Sequence, residues 1–208
     1  MFNQIRSWFK SHNKQVAELS CASELMQGDM LRFSNSVALP EEIRDKPFKI
    51  KSVASYFYAD SLSTQLVIAG DANQLLYLSF EEVDGEDFIQ VSKSLKHAEV
   101  EALVGWANIK KALKNEMDIQ LLNDAIGDAW LSQTYQHRIF AASARYIDAD
   151  VRQSKASSTQ GEPLKYYEFK AANTNKTLEV EVWEGNEIEV GIGLLLPLSD
   201  IDDFWRKR

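Results

Sequence analysis

The chain has 208 residues, 45% of them hydrophobic and 11% aromatic, enough to bury a substantial core in one large or two small domains. Its formal net charge of −8 argues against a general nucleic-acid binder, which would need a basic face for the phosphates. A single cysteine, Cys21, excludes an internal disulfide and a Cys-based zinc site, and fits a reducing compartment.

Residues 1 to 20 are predicted as an N-terminal amphipathic helix. Phe2, Ile5, Phe9, Val16 and Leu19 share one face, with Trp8 at its edge, while Arg6, Lys10 and Lys14 lie opposite. This segment has no continuous apolar core, so a secretory signal is not expected. Its apolar stripe either packs on the protein's own sheet or docks on a partner helix or an anionic membrane surface. Phe2, Ile5, Arg6, Trp8, Phe9 and Lys10 are the candidate interaction residues.

Residues 21 to 96 read as a first β-rich half. "GDMLRFS" (28 to 34) starts it, and "ALPEEIRDKP" is a loop bounded by Pro40 and Pro47. Strands are then predicted over 48 to 60, 64 to 70, 74 to 82 and 87 to 94, with an Asp84-Gly85 hairpin signal between the last two. From His97 the period changes. Ala102, Trp106, Ile109, Leu113 and Met117 step by three and four, so 97 to 127 is expected to be a helical connector, with Ile119, Leu122 and Ile126 in a second short helix.

A second β-rich half is expected over 128 to 208, forming one unit with the first. One long strand is placed over 129 to 148, a polar loop over 152 to 163, and strands over 164 to 171, 177 to 184 and 187 to 195. In "TLEVEVWEGNEIEVGIG", Leu178, Val180, Val182, Ile188 and Val190 alternate with Glu179, Glu181 and Glu189 across an Asn186-containing turn. The apolar set should face the core and the glutamates a solvated face. The segments 67 to 91 and 168 to 190 also align. Ala69, Leu76, Leu78, Phe80 and Gly85 fall on Ala171, Leu178, Val180, Val182 and Gly185. The predicted fold class is therefore α+β, two related antiparallel β-meander halves joined by a helical segment.

"GDMLRF", "YYEFKAAN", "LEVEVWEGNEIEV" and "SDIDDFW" together resemble bacterial proteins of the YjfK type and their domain-of-unknown-function relatives, often encoded near phage-shock-like genes. The resemblance runs from about residue 28 to 205 and rests on turn glycines, strand apolars and a closing Trp. It implies a cytoplasmic accessory role near the inner membrane and no more; the expected partner is another, membrane-associated protein in a stress-linked system, with an anionic membrane surface as a second contact and no nucleic acid. It carries no catalytic residues.

Candidate chemistry is sparse. His12, His97 and His137 have no second ligand at metal spacing. Asp148 and Asp150 form an Asp-x-Asp pattern that holds divalent ions in some enzymes, but they sit where aspartates serve turns. Gly191 and Gly193 lack the rest of a phosphate-binding loop. No cofactor, metal site or catalytic set is expected. A non-catalytic binding or adapter protein is therefore the leading expectation. The alternative is a hydrolase-like or metal-assisted enzyme that brings together Asp148, Asp150, His137 and nearby glutamates.

Overall fold

The computed structural model describes residues 22–59, 61–71, 74–83, 85–154 and 160–206. The N-terminal helix and its interaction residues Phe2, Ile5, Arg6, Trp8, Phe9 and Lys10 lie outside the described residues, as do His12 and Cys21. No described helix is long and apolar enough to cross a membrane.

Period-two alternation dominates what is described. β1 (Met30–Phe33) is followed by a meander of β2 (Pro47–Phe57), β3 (Leu62–Ala69), β4 (Leu75–Val83) and β5 (Glu86–Ser94). Helices α1 (His97–Leu103) and α2 (Trp106–Asn115) and the short β6 (Ile119–Gln120) lead to a second meander of β7 (Thr134–Ile147), β8 (Glu162–Lys170), β9 (Lys176–Trp183) and β10 (Ile188–Pro197). β11 (Ile201–Trp205) returns to pair with β1. All pairings are antiparallel, in one eleven-stranded sheet. The fold is thus mainly β, and the α+β expectation is corrected. The helical period from His97 is real, but it yields only two short helices laid on a sheet that dominates the chain.

The meanders join last strand to last strand, Ser92 opposite Gly193. They also join first to first, Tyr56 opposite Tyr146. That second junction closes β2–β5 and β7–β10 into a ring. Eight strands make a barrel whose interior is either filled by side chains or holds one small ligand. Asn186 (φ 66°) and Gly185 (φ 93°) form the tight β9–β10 turn, a conformation that glycine and asparagine tolerate.

The apolar face of each strand points out of the ring, and the remaining chain covers it. Leu66, Ile68, Leu76, Leu78, Ile89, Val91, Ile192 and Leu194 pack under the segment that carries Leu25, Leu31, Phe33, Leu39, Ile43 and Phe48. Phe169, Leu178, Val180 and Val190 pack with Val100, Val104, Ile109 and Ala112 of the helical segment. The proposed inward set of the second hairpin is accordingly buried at Leu178, Val180 and Val190, with Val182 and Ile188 half-buried at its end.

Two local readings change. Ile119 starts a strand, and Leu122 and Ile126 are exposed rather than helical. The Asp124 carboxylate accepts from the Ile126 amide at 2.9 Å, and that of Asp128 from the Trp130 amide at 2.7 Å. Aspartates that bond to amides two residues on favour turns over helix. In the alignment of the meanders, Ile68 pairs with Leu76 as Phe169 pairs with Leu178. Gly70, not Ala69, therefore corresponds to Ala171, because the first connection is one residue shorter.

Candidate functional site

With the apolar faces turned out, the opposite faces meet inside the ring. They carry Tyr56 of β2 and Tyr58 just after it, Gln65 of β3, Tyr77, Ser79 and Glu81 of β4, and Gln90 and Ser92 of β5. The other meander adds Arg138 of β7, Tyr166 of β8, and Glu179 and Glu181 of β9. These side chains line a cavity of about 290 Å³. On β10 the inward positions include Gly193, where a Cβ would come within 2.6 Å of the Thr177 hydroxyl and 3.2 Å of the Ser92 Cβ. Only glycine allows β10 to approach its neighbours that closely. Toward one side, Tyr146 meets both Tyr56 and Trp183 edge-to-face, at 5.2 and 5.4 Å between centroids, forming an aromatic wall.

One cation holds the acidic interior together. Arg138 Nη1 donates to Glu168 Oε1 at 2.5 Å and lies 3.6 Å from Glu81 Oε2. The β7–β4 contact crosses the barrel, so it ties one meander to the other. Glu168 is 1% exposed and also accepts from the Tyr166 hydroxyl at 3.2 Å. Glu179 and Glu181 have no such cation. Loss of water, reinforced by the charges of Glu168, Glu181 and Glu81, pushes the Glu179 carboxyl well above the carboxylate range, with the Ser92 hydroxyl opposing. Glu181 is raised to about 7, first by burial and then by Glu189, with the Tyr56 hydroxyl opposing. Burial followed by the Glu181 charge raises the phenols of Tyr56 and Tyr58, so these stay protonated donors.

A pH dependence follows. Both glutamates have folded-state values above their unfolded ones, so the native state holds the extra protons. That stabilisation is complete below the unfolded carboxylate range and is lost as pH rises through 7. The melting temperature should fall from pH 5 to pH 8, and Glu181→Gln should flatten the fall and melt higher than the parent at pH 8. Parallel melting curves for the two proteins across that window would refute the assignment.

The expected wet face of Glu179, Glu181 and Glu189 is corrected in part. Their phase is as predicted, but ring closure turns Glu179 and Glu181 into the barrel, and only Glu189 is exposed. The alternative catalytic set is not assembled. His137 lies on the outer side of β7, its ring 5.0 Å from that of Phe169 and 5.2 Å from that of Phe140. The Asp150 carboxylate accepts from Arg152 at 2.5 Å, and Arg152 also donates to the Leu25 carbonyl at 2.8 Å, which fastens this loop to the 22–25 turn. Asp148 accepts from the Tyr146 hydroxyl at 3.4 Å. His97 stacks on Trp106 at the surface. Among the described residues no group of three or more His, Cys, Asp or Glu is placed to hold a metal ion.

Tyr56, Tyr58, Tyr77, Gln65, Gln90, Ser92 and Arg138 escaped the sequence reading. Their signal was present: the positions alternating with the apolar face are Tyr, Ser and Gln on β2 to β5, where a solvent face would be richer in lysine and arginine. No family model, curated protein or solved structure matches this chain.

Proposed function

We propose that this is a non-catalytic binding protein and that the barrel interior is its site, taking one small polar ligand. The observation that carries this reading is the inverted polarity of the ring. Most apolar side chains lie on the outer face, under the helices and the N-terminal turns, and Ala144 and Leu164 close one end of the interior with the aromatic wall, while tyrosine, serine, glutamine and glutamate surround the cavity. A barrel of this strand number serving only as a scaffold would fill its interior with side chains. The cavity lies at the lower end of the volumes of ligand pockets, about 300–1,000 Å³. His137 on the outer side of β7 and Asp150 held by Arg152 favour binding over hydrolysis or metal-assisted chemistry.

The test is a thermal-shift screen of small polar metabolites against the parent and Ser79→Phe, which places a ring in the cavity. At least one compound should raise the parent's melting temperature by several degrees and leave the filled variant unmoved. Ser63 of β3 lines the same cavity, and Ser63→Phe serves if the first variant does not fold. Compounds that stabilise parent and filled proteins alike would remove the interior as the site.

A further inference from the structure

Building on the reading of the interior as a ligand site, we infer that the ligand is a small organic cation bearing an ammonium group, held by Glu179 and Glu181 among the tyrosine rings. Three observations bear on this.

The first is unused hydrogen-bonding capacity. Gln90 is 3% exposed, lines the cavity, and has an Oε1 without a donor. Its amide nitrogen is engaged with the Thr177 hydroxyl at 3.5 Å. Glu179 Oε1 is likewise buried and unpartnered. Buried acceptors without donors cost free energy, and both of these are acceptors. A ligand that completes them must bring N–H or O–H groups.

The second is charge. The carboxyl groups on this face, Glu81, Glu168, Glu179 and Glu181, outnumber the cations Arg138 and Lys170. Arg138 is already committed to Glu168 and Glu81. Burial holds protons on Glu179 and Glu181 while no cation is near, so a neutral polyol would supply donors but leave both carboxyls without a counter-charge against which to ionise. An ammonium supplies donors and charge together.

The third is the wall. Tyr56, Tyr58, Tyr77 and Tyr166 surround the carboxylates. Aromatic rings attract cations through their quadrupole, and their phenols can accept from an ammonium without becoming charged. An anionic ligand would meet the glutamates and find no free guanidinium. Serving hydrogen bonds to charged groups, at about 1.5–3 kcal/mol each, corresponds to roughly ten- to a hundredfold in affinity.

The experiment uses the full chain at pH 8 and a matched pair of probes, 1,4-diaminobutane and 1,4-butanediol, titrated calorimetrically. The diamine should bind with one-to-one stoichiometry, at least about tenfold tighter than the diol. Glu179→Gln and Glu181→Gln should each weaken the diamine by a similar factor while leaving the diol unchanged, and Ser79→Phe should abolish binding of both. Equal binding of the two probes, or diamine affinity indifferent to both glutamine variants, would overturn the cation assignment. If neutral polyols stabilise the parent but not the filled variant while the diamine does not bind, the site stands and its ligand is uncharged. If no amine or polyol separates the parent from the filled variant, the cation assignment and the interior site fall together.

Discussion

Arg138→Met should destabilise the protein by about 3 kcal/mol, and Glu168→Gln in the same chain should recover most of that loss. The Glu168 carboxyl is 1% exposed and has its charge matched by Arg138 at 2.5 Å. Without the guanidinium, that carboxyl and Glu81 would face each other inside the barrel with no close cation from β7. Removing one partner of a buried pair typically costs about 3–5 kcal/mol. The lower end applies here because Arg138 itself is 36% exposed, on the cavity side. Glu168→Gln alone should cost less, since the amide oxygen still accepts from Arg138. Urea melts of the two single variants and the double variant form a cycle whose coupling isolates the pair. A neutral Arg138→Met would mean that cavity water replaces the guanidinium without penalty, and the cross-barrel tie would then contribute only orientation.

The strands of both meanders were legible in the sequence because each buries one face. Leu178 and Val180 alternate with Thr177, Glu179 and Glu181, and Leu76 and Leu78 flank Tyr77, and that period specifies both element and phase; on β3, with Val67 between Leu66 and Ile68, the β-branched run specifies the strand alone. Ring closure was not legible. The pairing of Tyr56 with Tyr146 joins residues at the far ends of two meanders, and nothing local to either strand records it. That one missing contact changed the meaning of every polar position. A glutamate opposite a core leucine faces water in an open sheet and other side chains in a closed one. The glutamates of β9 were therefore placed on the correct side of the strand and in the wrong surroundings. The α-helical share was overestimated for a different reason. The step of three and four residues ends at Asn115, and the apolar residues beyond it were credited to a helix, although Asp124 and Asp128 bind their own backbone in turns.

The polar faces carried a further clue. A strand face open to water favours long, flexible charged side chains, which keep their entropy and hydration. Inward positions such as Tyr56, Tyr77, Ser79 and Ser92 are instead short or rigid. Such residues suit a surface that has to hold a fixed shape against a bound molecule.

Phe169→Ala should be the most damaging truncation of the second core, at about 3–5 kcal/mol. Phe169 has no exposed surface and sits on the outer face of β8, opposite His137 in the strand register and edge-on to its ring at 5.0 Å. It belongs to the cluster that joins the barrel wall to Val100 and Ile109 of the helical segment, so its loss opens a cavity between two layers that cannot easily collapse onto each other. Glu168, its neighbour along the strand, points the other way, into the ring beside Arg138. The same strand thus separates two kinds of failure. Phe169→Leu keeps most of the buried volume and should cost well under half as much. Phe169→Ala should loosen the helical cover and shift the chemical denaturation midpoint strongly. A loss below about 1 kcal/mol for Phe169→Ala would show that the helices rest on the barrel without being packed into it.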